Sequence, residues 1–156
     1  MALLKVGDIA PEFAGIAQNG IKIRLSEMAG KKVILYFYPK DNTPGCTAEA
    51  CNLRDNYKLL LQKGFAIIGI SADNENSHQN FISKYHLPFP LISDADKTIC
   101  NLYGVWGPKK FMGRSFDGIN RTTYIISEKG IIESVFEKVK TNDHTQQILD
   151  ELKIKN

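Results

Sequence analysis

The sequence lacks the features that mark several large classes of protein. Its 156 residues contain no apolar run near the roughly 18 residues that a membrane-spanning helix needs. The net charge is only +3, and basic residues are scattered rather than gathered on one surface, which argues against nucleic-acid binding. The first residues are too few and too charged for a signal peptide. We therefore expect a cytoplasmic protein that binds neither membranes nor nucleic acids.

Cysteine is also scarce. Three cysteines, an odd number, do not make the disulfide framework of a small secreted protein, and a chain of this length buries a core without one. The C-x2-C spacing typical of zinc sites is missing, and His78, His86 and His144 are isolated from one another. The sequence therefore gives no support to a metal centre. Cysteines in a reducing compartment more often carry chemistry than hold a fold together.

The apolar pattern alternates between strands and helices. Residues 33–38 and 65–71 are continuous apolar runs, typical of strands buried on both faces. Residues 44–62 follow a helical period and stop before Gly64. The other expected elements are a hairpin at Asn19-Gly20, a helix over 75–85, a short strand or edge over 88–92, a helix over 97–103, a hairpin around 128–130 and a helix over 143–152.

Residues 104–120 are rich in glycine and show no periodicity, so we expect a long loop there. The order of the other elements predicts one α/β domain over residues 1–156, with a mixed central β-sheet flanked by helices. A thioredoxin-like fold fits this order best.

Cys46 stands where the first long helix begins. Thr43 is a good N-cap residue, and Pro44 suits the first helical position. Cys46 then lies in the first turn, where free backbone N–H groups and the helix dipole stabilise a thiolate, the nucleophilic form of cysteine. Ala50 and Leu53 share its helix face, so we expect its sulfur in a pocket.

Cys51 lies five residues further along the same helix and points about 140° away from Cys46. Ideal helix geometry separates the two Cα atoms by roughly 8–9 Å, which is beyond the reach of a disulfide. If the two cysteines bond, the helix must first unwind, which suits a transient catalytic pair better than a structural one. The spacing alone leaves three alternatives open: two ordinary thiols, a metal site, or a thiol–disulfide exchanger.

The motif Pro39-x3-Thr43-x2-Cys46 matches the P-x3-T/S-x2-C pattern of peroxiredoxins. The longer run over residues 36–55 closely resembles the bacterioferritin comigratory protein, or peroxiredoxin Q, subgroup. Similarity covers nearly the whole chain, including residues 7–13, 104–113 and 118–121. The resemblance implies a thioredoxin-like fold with the N-terminal hairpin of peroxiredoxins, and a peroxidase that needs no flavin, haem or metal.

The resemblance also implies a role for each matching residue. Cys46 looks like the nucleophile that attacks the peroxide and becomes a sulfenic acid. Thr43 looks like the hydroxyl that binds thiolate and peroxide, and Pro39 like the residue that closes the pocket. Arg121 is similar to the arginine that stabilises thiolate and leaving oxygen, and Glu49 to the residue that orients it. Each of these residues also has a plainer alternative. Thr43 could be only a helix cap and Pro39 only the end of a strand. Arg121 could be a solvated charge and Glu49 a surface carboxylate.

Cys51 resembles the resolving cysteine, which attacks the sulfenic acid and forms an intramolecular disulfide with Cys46. The resemblance implies hydrogen peroxide and alkyl hydroperoxides as substrates and thioredoxin as the reductant. Cys100 has apolar neighbours, and we expect a buried, inert thiol. The chain has no cysteine-bearing C-terminal extension, which fits a monomer or weak homodimer. Two other functions are kept as alternatives: a thioredoxin-fold protein thiol–disulfide oxidoreductase and a non-enzymatic holdase.

Overall fold

The computed structural model describes residues 3–154 of the chain. In that range no helix is both long and apolar enough to cross a membrane. The elements, in chain order, are β1 (Ala14–Ala17), β2 (Lys22–Arg24), β3 (Lys32–Phe37), α1 (Pro44–Asp55), α2 (Tyr57–Gln62), β4 (Phe65–Ser71), α3 (Glu75–Tyr85), β5 (Leu91–Ser93), α4 (Thr98–Leu102), β6 (Trp106–Phe111), β7 (Arg114–Ile119), β8 (Thr122–Ile126), β9 (Ile132–Phe136) and α5 (His144–Glu151).

Seven strands form the central sheet in the order β2-β1-β5-β4-β3-β8-β9. The pairs β3–β4 and β4–β5 are parallel, and the other neighbours are antiparallel. Alternate residues of β3 enter two separate apolar clusters, one on each face of the sheet, and both faces carry helices. This arrangement confirms the predicted mixed sheet, and the β1–β2 pair confirms the N-terminal hairpin.

The helix expected over residues 44–62 is interrupted. Asn56, at φ −108° and ψ 15°, separates α1 from α2, and its side-chain amide donates to the Asn52 carbonyl oxygen at 2.9 Å. A short amide side chain competes in this way with the backbone bonds of a helix. Beyond the break, the apolar helical period over residues 44–62 predicts that both Leu60 and Leu61 face inward; this holds for Leu60 but is wrong for Leu61, which is 47% exposed.

The expectation of a long loop over residues 104–120 is wrong, because β6 and β7 form a two-stranded hairpin there. Its two-residue turn, Met112-Gly113, has positive φ at both positions, the geometry of a tight hairpin turn. Most described side chains of β7 are exposed, so the strand lacks the alternation of apolar and polar residues that a half-buried strand shows.

A short strand is present near Pro88 as expected, but it covers Leu91–Ser93 rather than residues 88–92. β5 begins only after Pro90, and it pairs with β1 on one side and β4 on the other, so the alternative of an edge is wrong. The prolines precede the strand, where a missing N–H removes no bond from the ladder. The carbonyl of Pro90 still accepts a bond from the Gly69 amide at 3.1 Å.

Candidate active site

Cys46 lies near the start of α1, the first helix after β3. Thr43 occupies the N-cap position, Pro44 is the first helical residue, and Cys46 follows in the first turn with 1% of its surface exposed. Ala50 and Leu53, on the same helix face, are fully buried beside it. The structure thus confirms that this thiol lies in the first turn of a helix, and it shows the thiol buried there.

Arg121 reaches this thiol from 75 residues away. The antiparallel register between β3 and β8 pairs Phe37 with Thr122, which places Arg121 beside the carboxyl end of β3. Its Nη2 donates to the Cys46 Sγ at 3.2 Å. A Cβ on Gly45 would stand 3.2 Å from the same Nη2, so glycine leaves room for the guanidinium at the helix start. A fixed cation therefore faces the sulfur.

Glu49 completes the group from one turn further along α1. Its side chain is fully buried, and its Oε1 accepts a bond from Arg121 Nη1 at 2.7 Å. One planar guanidinium thus joins a sulfur and a carboxylate, which fixes its orientation. Burial raises the pKa of Glu49 from 4.5 to about 7, although the charge of Arg121 acts in the opposite direction.

His144, the first residue of α5, lies behind Glu49 and was missed by sequence reasoning. Its Nε2 stands 3.7 Å from Glu49 Oε2 and 2.9 Å from the Thr123 hydroxyl, while its Nδ1 donates to Gln147 Oε1 at 2.9 Å. Burial lowers the pKa of His144 from 6.5 to about 4, so the ring is neutral at pH 7. The contact joins residues 95 positions apart, and no local pattern signals it.

The tautomer of His144 leaves one oxygen of Glu49 without a donor. Because Nδ1 carries the hydrogen, the neutral ring presents a lone pair at Nε2, which accepts from the Thr123 hydroxyl. Within residues 3–154, Glu49 Oε2 has no hydrogen-bond partner. A buried polar atom in this state costs free energy.

Thr43 and Pro39 lie on the segment that leads into α1, and both are half-buried. The Thr43 hydroxyl donates to the Lys40 carbonyl at 2.8 Å and makes no bond to the helix N–H groups, so its expected capping bond is absent from the described structure. The structure therefore brings together Cys46, Glu49 and Arg121, and among the described residues neither Thr43 nor Pro39 has a hydrogen bond to the sulfur.

Cys51 is half-buried in the middle of α1, and all three cysteines are free thiols. Since the helix is continuous from Pro44 to Asp55, a bond between Cys46 and Cys51 requires its first turns to unwind. Cys100 lies apart, on α4, and is fully buried. Burial, reinforced by the side chain of Asp94, raises the pKa of its thiol and keeps it protonated.

Comparisons with known proteins agree with this geometry. The family model described as AhpC/TSA family matches residues 6–135. The chain is 46% identical to a putative peroxiredoxin bcp from Coxiella burnetii, over 96% of this chain and 99% of that protein. It is 45% identical to peroxiredoxin Bcp from Escherichia coli K12, over 96% of each chain.

Solved structures give the same result. A mutant of Xylella fastidiosa PrxQ superposes with a TM-score of 0.91 at 29% identity, covering 98% of each chain. The bacterioferritin comigratory protein of Xanthomonas campestris, whose structure was studied for its alkyl peroxide reduction activity, gives a TM-score of 0.88 at 33% identity, covering 98% of this chain and 96% of that one. These similarities confirm the thioredoxin-like arrangement predicted from the sequence.

Proposed function

Because the chain belongs to the AhpC/TSA family and is a thiol-dependent peroxidase, we propose that Cys46 is the thiol that attacks the peroxide. The observation that carries the proposal is the 3.2 Å contact between Arg121 Nη2 and the Cys46 sulfur. A guanidinium at this distance stabilises the thiolate, and the thiolate is the nucleophilic form.

In the first step, the Cys46 thiolate attacks one oxygen of the peroxide. An S–O bond forms and the O–O bond breaks, so the sulfur loses two electrons and becomes a sulfenic acid. The leaving oxygen takes a proton and departs as water or an alcohol. Arg121 stabilises the negative charge that develops on this oxygen, and Glu49 holds the guanidinium in place. Thr43 and Pro39 complete the pocket in this proposal.

In the second step, Cys51 attacks the sulfenic acid. Its thiolate forms an S–S bond with Cys46, and the sulfenic oxygen leaves as water after taking a proton. The intact helix α1 separates the two sulfurs, so its first turns open before this bond forms. The resulting intramolecular disulfide ends the oxidative half of the cycle.

Peroxides and a thiol reductant are the partners of a peroxiredoxin. We propose thioredoxin as the reductant, which supplies two electrons and two protons to restore both thiols. Hydrogen peroxide and alkyl hydroperoxides are the proposed substrates, in line with the alkyl peroxide reduction activity named for the X. campestris relative. We further propose a cytoplasmic protein that acts as a monomer or weak homodimer.

One equivalent of hydrogen peroxide should consume two thiols of the reduced protein and produce a Cys46–Cys51 disulfide, located by mass spectrometry. Cys46→Ser should abolish this reaction, whereas Cys51→Ser should react once and accumulate a sulfenic acid that a dimedone probe captures. Cys100→Ser is the matched control and should behave like the unaltered protein. Full peroxide turnover by Cys46→Ser would overturn the assignment, and reduction of a protein disulfide in place of peroxide would favour the exchange enzyme.

A further inference from the structure

The segment between β3 and α1 carries Pro39 and Thr43, and the residue midway between them is buried. Asp41 is 5% exposed, although it stands in a loop and bears a charge. A carboxylate is buried at low cost only where donors surround it. The partners of Asp41 therefore show what holds this segment in place.

Four other residues bind Asp41. Its Oδ1 accepts a bond from the Tyr38 hydroxyl at 2.6 Å. Its Oδ2 accepts from the Ser77 hydroxyl at 2.8 Å and stands 2.7 Å from His78 Nδ1. Its backbone N–H donates to Asp73 Oδ2 at 2.8 Å. One residue thus ties the segment to the end of β3, to α3 and to the loop after β4.

His78 connects Asp41 to the central sheet. The ring is fully buried, and its Nε2 stands 3.0 Å from the carbonyl oxygen of Ile92 in β5. A carbonyl can only accept, so Nε2 carries a hydrogen. Nδ1 faces a carboxylate oxygen of Asp41 that already accepts from a hydroxyl, so a second proton lies between ring and carboxylate. The contact is a buried hydrogen bond between the ring and the carboxyl group of Asp41.

Asp41, Asp73 and His78 also lie close enough together to suggest a cation site, since their ligand atoms fall within 4.8 Å of one another. Their atoms already have other partners, however. Asp73 Oδ2 accepts from the Ser71 hydroxyl at 2.7 Å as well as from the Asp41 amide. The cluster is therefore organised by hydrogen bonds, which explains it without a metal.

We propose that Asp41 and His78 are positioning residues for the peroxidase reaction, which hold Pro39 and Thr43 at the Cys46 pocket and keep them there while α1 unwinds. This inference rests on the proposed function. Asn42, with φ at 62°, turns the chain after the anchored Asp41, and the Thr43 hydroxyl bonds back to the Lys40 carbonyl at 2.8 Å, so Thr43 stays with the anchored segment. The opening of α1 can therefore stop at its own N-terminus and leave the anchored segment in place.

The test separates the two chemical steps. Asp41→Asn keeps the shape of the side chain but removes its charge, which weakens the bond to His78 and loosens the segment. We expect the rate constant for oxidation of Cys46 by hydrogen peroxide to fall about tenfold to a hundredfold, as misplacement of groups at a reacting centre does. The later rate of disulfide formation should change by less than about twofold, because it depends on α1. Stopped-flow fluorescence followed by rapid quench measures both.

Two further variants keep the test decisive if Asp41→Asn fails to fold. Ser77→Ala removes one donor to Asp41 but leaves the His78 bond, and should slow only the oxidation step, by about twofold to fivefold. His86→Asn is the matched control, because His86 is exposed at the end of the same helix, and its left-handed backbone suits asparagine. It should change neither rate.

Nuclear magnetic resonance provides an independent readout. The signals of the His78 ring nitrogens should move in Asp41→Asn, because Nδ1 then faces an amide in place of a carboxyl group, and should stay unchanged in His86→Asn. An unaltered protein whose Cys46 does not react with peroxide would overturn the proposed function itself. A reactive protein in which Asp41→Asn and Ser77→Ala leave the oxidation rate unchanged, or slow both steps equally, would overturn only the positioning role.

Discussion

Two buried carboxylate–histidine pairs lie close to the active-site helix, and they differ in how completely they are bonded. Asp41, before α1, and His78, on α3, are 2.7 Å apart, and both oxygens of the carboxylate have donors. Glu49, one turn into α1, and His144, on α5, are 3.7 Å apart, and one oxygen of Glu49 has no partner among residues 3–154. The same two kinds of side chain therefore form a firm anchor in one place and a poorly satisfied contact in the other.

This difference in bonding matches what each region does in the proposed reaction. A fully bonded buried pair resists displacement, which suits a segment that must keep its position. A buried oxygen without a donor raises the free energy of the closed helix, and the opening of α1 would return it to water. The hydroxyl of Tyr36 is also buried without a partner in the described range, and its ring belongs to the same apolar cluster as Cys46. One of the two unsatisfied groups thus lies on the helix that must open, and the other lies in the strand that precedes it.

The largest expected effect comes from removing Arg121, the cation that is bonded to Glu49 of the second pair. Arg121→Met should lower the rate of Cys46 oxidation by hydrogen peroxide by about 10²–10³-fold, because the thiolate and the leaving oxygen both lose their positive partner. Competition kinetics against a peroxidase of known rate measures the loss. Arg114→Met, at an exposed position of β7, is the control. An equal loss in both variants would contradict the role of Arg121.

The two ionisable groups of the second pair should have opposing effects on stability. The pKa of Glu49 is raised to about 7, so the folded protein keeps a proton that the unfolded chain loses, and the free energy of unfolding falls as pH rises from 4.5 to 7. The pKa of His144 is lowered to about 4, so the free energy of unfolding rises as pH rises from 4 to 6.5. In the unaltered protein the two effects largely cancel.

Glu49→Gln should expose the contribution of His144, with a rise of about 3 kcal/mol in the free energy of unfolding between pH 4 and 6.5. His144→Gln should leave the contribution of Glu49, with a fall of similar size, about 3 kcal/mol, between pH 4.5 and 7. Urea denaturation across this pH range measures both, with His86→Asn as the control. Identical pH profiles in the unaltered protein and both variants would show that neither group titrates as described.

Substitutions at two stacked tyrosines should change the free energy of unfolding by a smaller amount, but in opposite directions. Tyr36 and Tyr38 have ring centroids 5.4 Å apart, but only the Tyr38 hydroxyl has a partner in the described structure. Tyr36→Phe removes an unsatisfied group and should raise the free energy of unfolding by about 1 kcal/mol. Tyr38→Phe deprives Asp41 of a donor and should lower it by about 1–3 kcal/mol. Thermal and urea unfolding measure both, and effects of the same sign would contradict this account.

Cys100 should give the smallest effect. Its thiol is buried and its pKa is raised, so it should not react with hydrogen peroxide or with iodoacetamide while the protein is folded. Alkylation followed by mass spectrometry should find it unmodified when Cys46 is fully modified. Cys46 is equally buried, but it lies beside Arg121 on the helix that opens, so parallel modification of both thiols would show that the raised pKa does not protect Cys100.

The parts of the fold that the sequence predicted are those whose burial leaves a local pattern. Strands β3 and β4 are buried on both faces and read as continuous apolar runs, and Thr43-Pro44 marks the start of α1. The β6–β7 hairpin was mistaken for a loop because most described side chains of β7 are exposed, so the strand shows no alternation of apolar and polar residues. The break at Asn56 was missed because it depends on one side chain bonding to the backbone.

The site could be predicted only in part. The helix position of Cys46 followed from local pattern, whereas the role of Arg121 came from resemblance to a family, because strand register alone brings it to the sulfur. His144, Asp41 and His78 were not singled out. Their contacts cross 37 to 95 residues of chain, and isolated residues of these types carry no sign of a tertiary partner.

The interruption at Asn56 has a consequence for the size of the opening event. Helix α1 ends at Asp55, one residue before the break, and α2 begins at Tyr57, one residue after it. Backbone amides of α1 can therefore exchange with solvent as one local unit while those of α2 stay protected. A 12-residue helix is a short piece of chain to reorder, so each catalytic cycle needs to disturb only a small fraction of the protein.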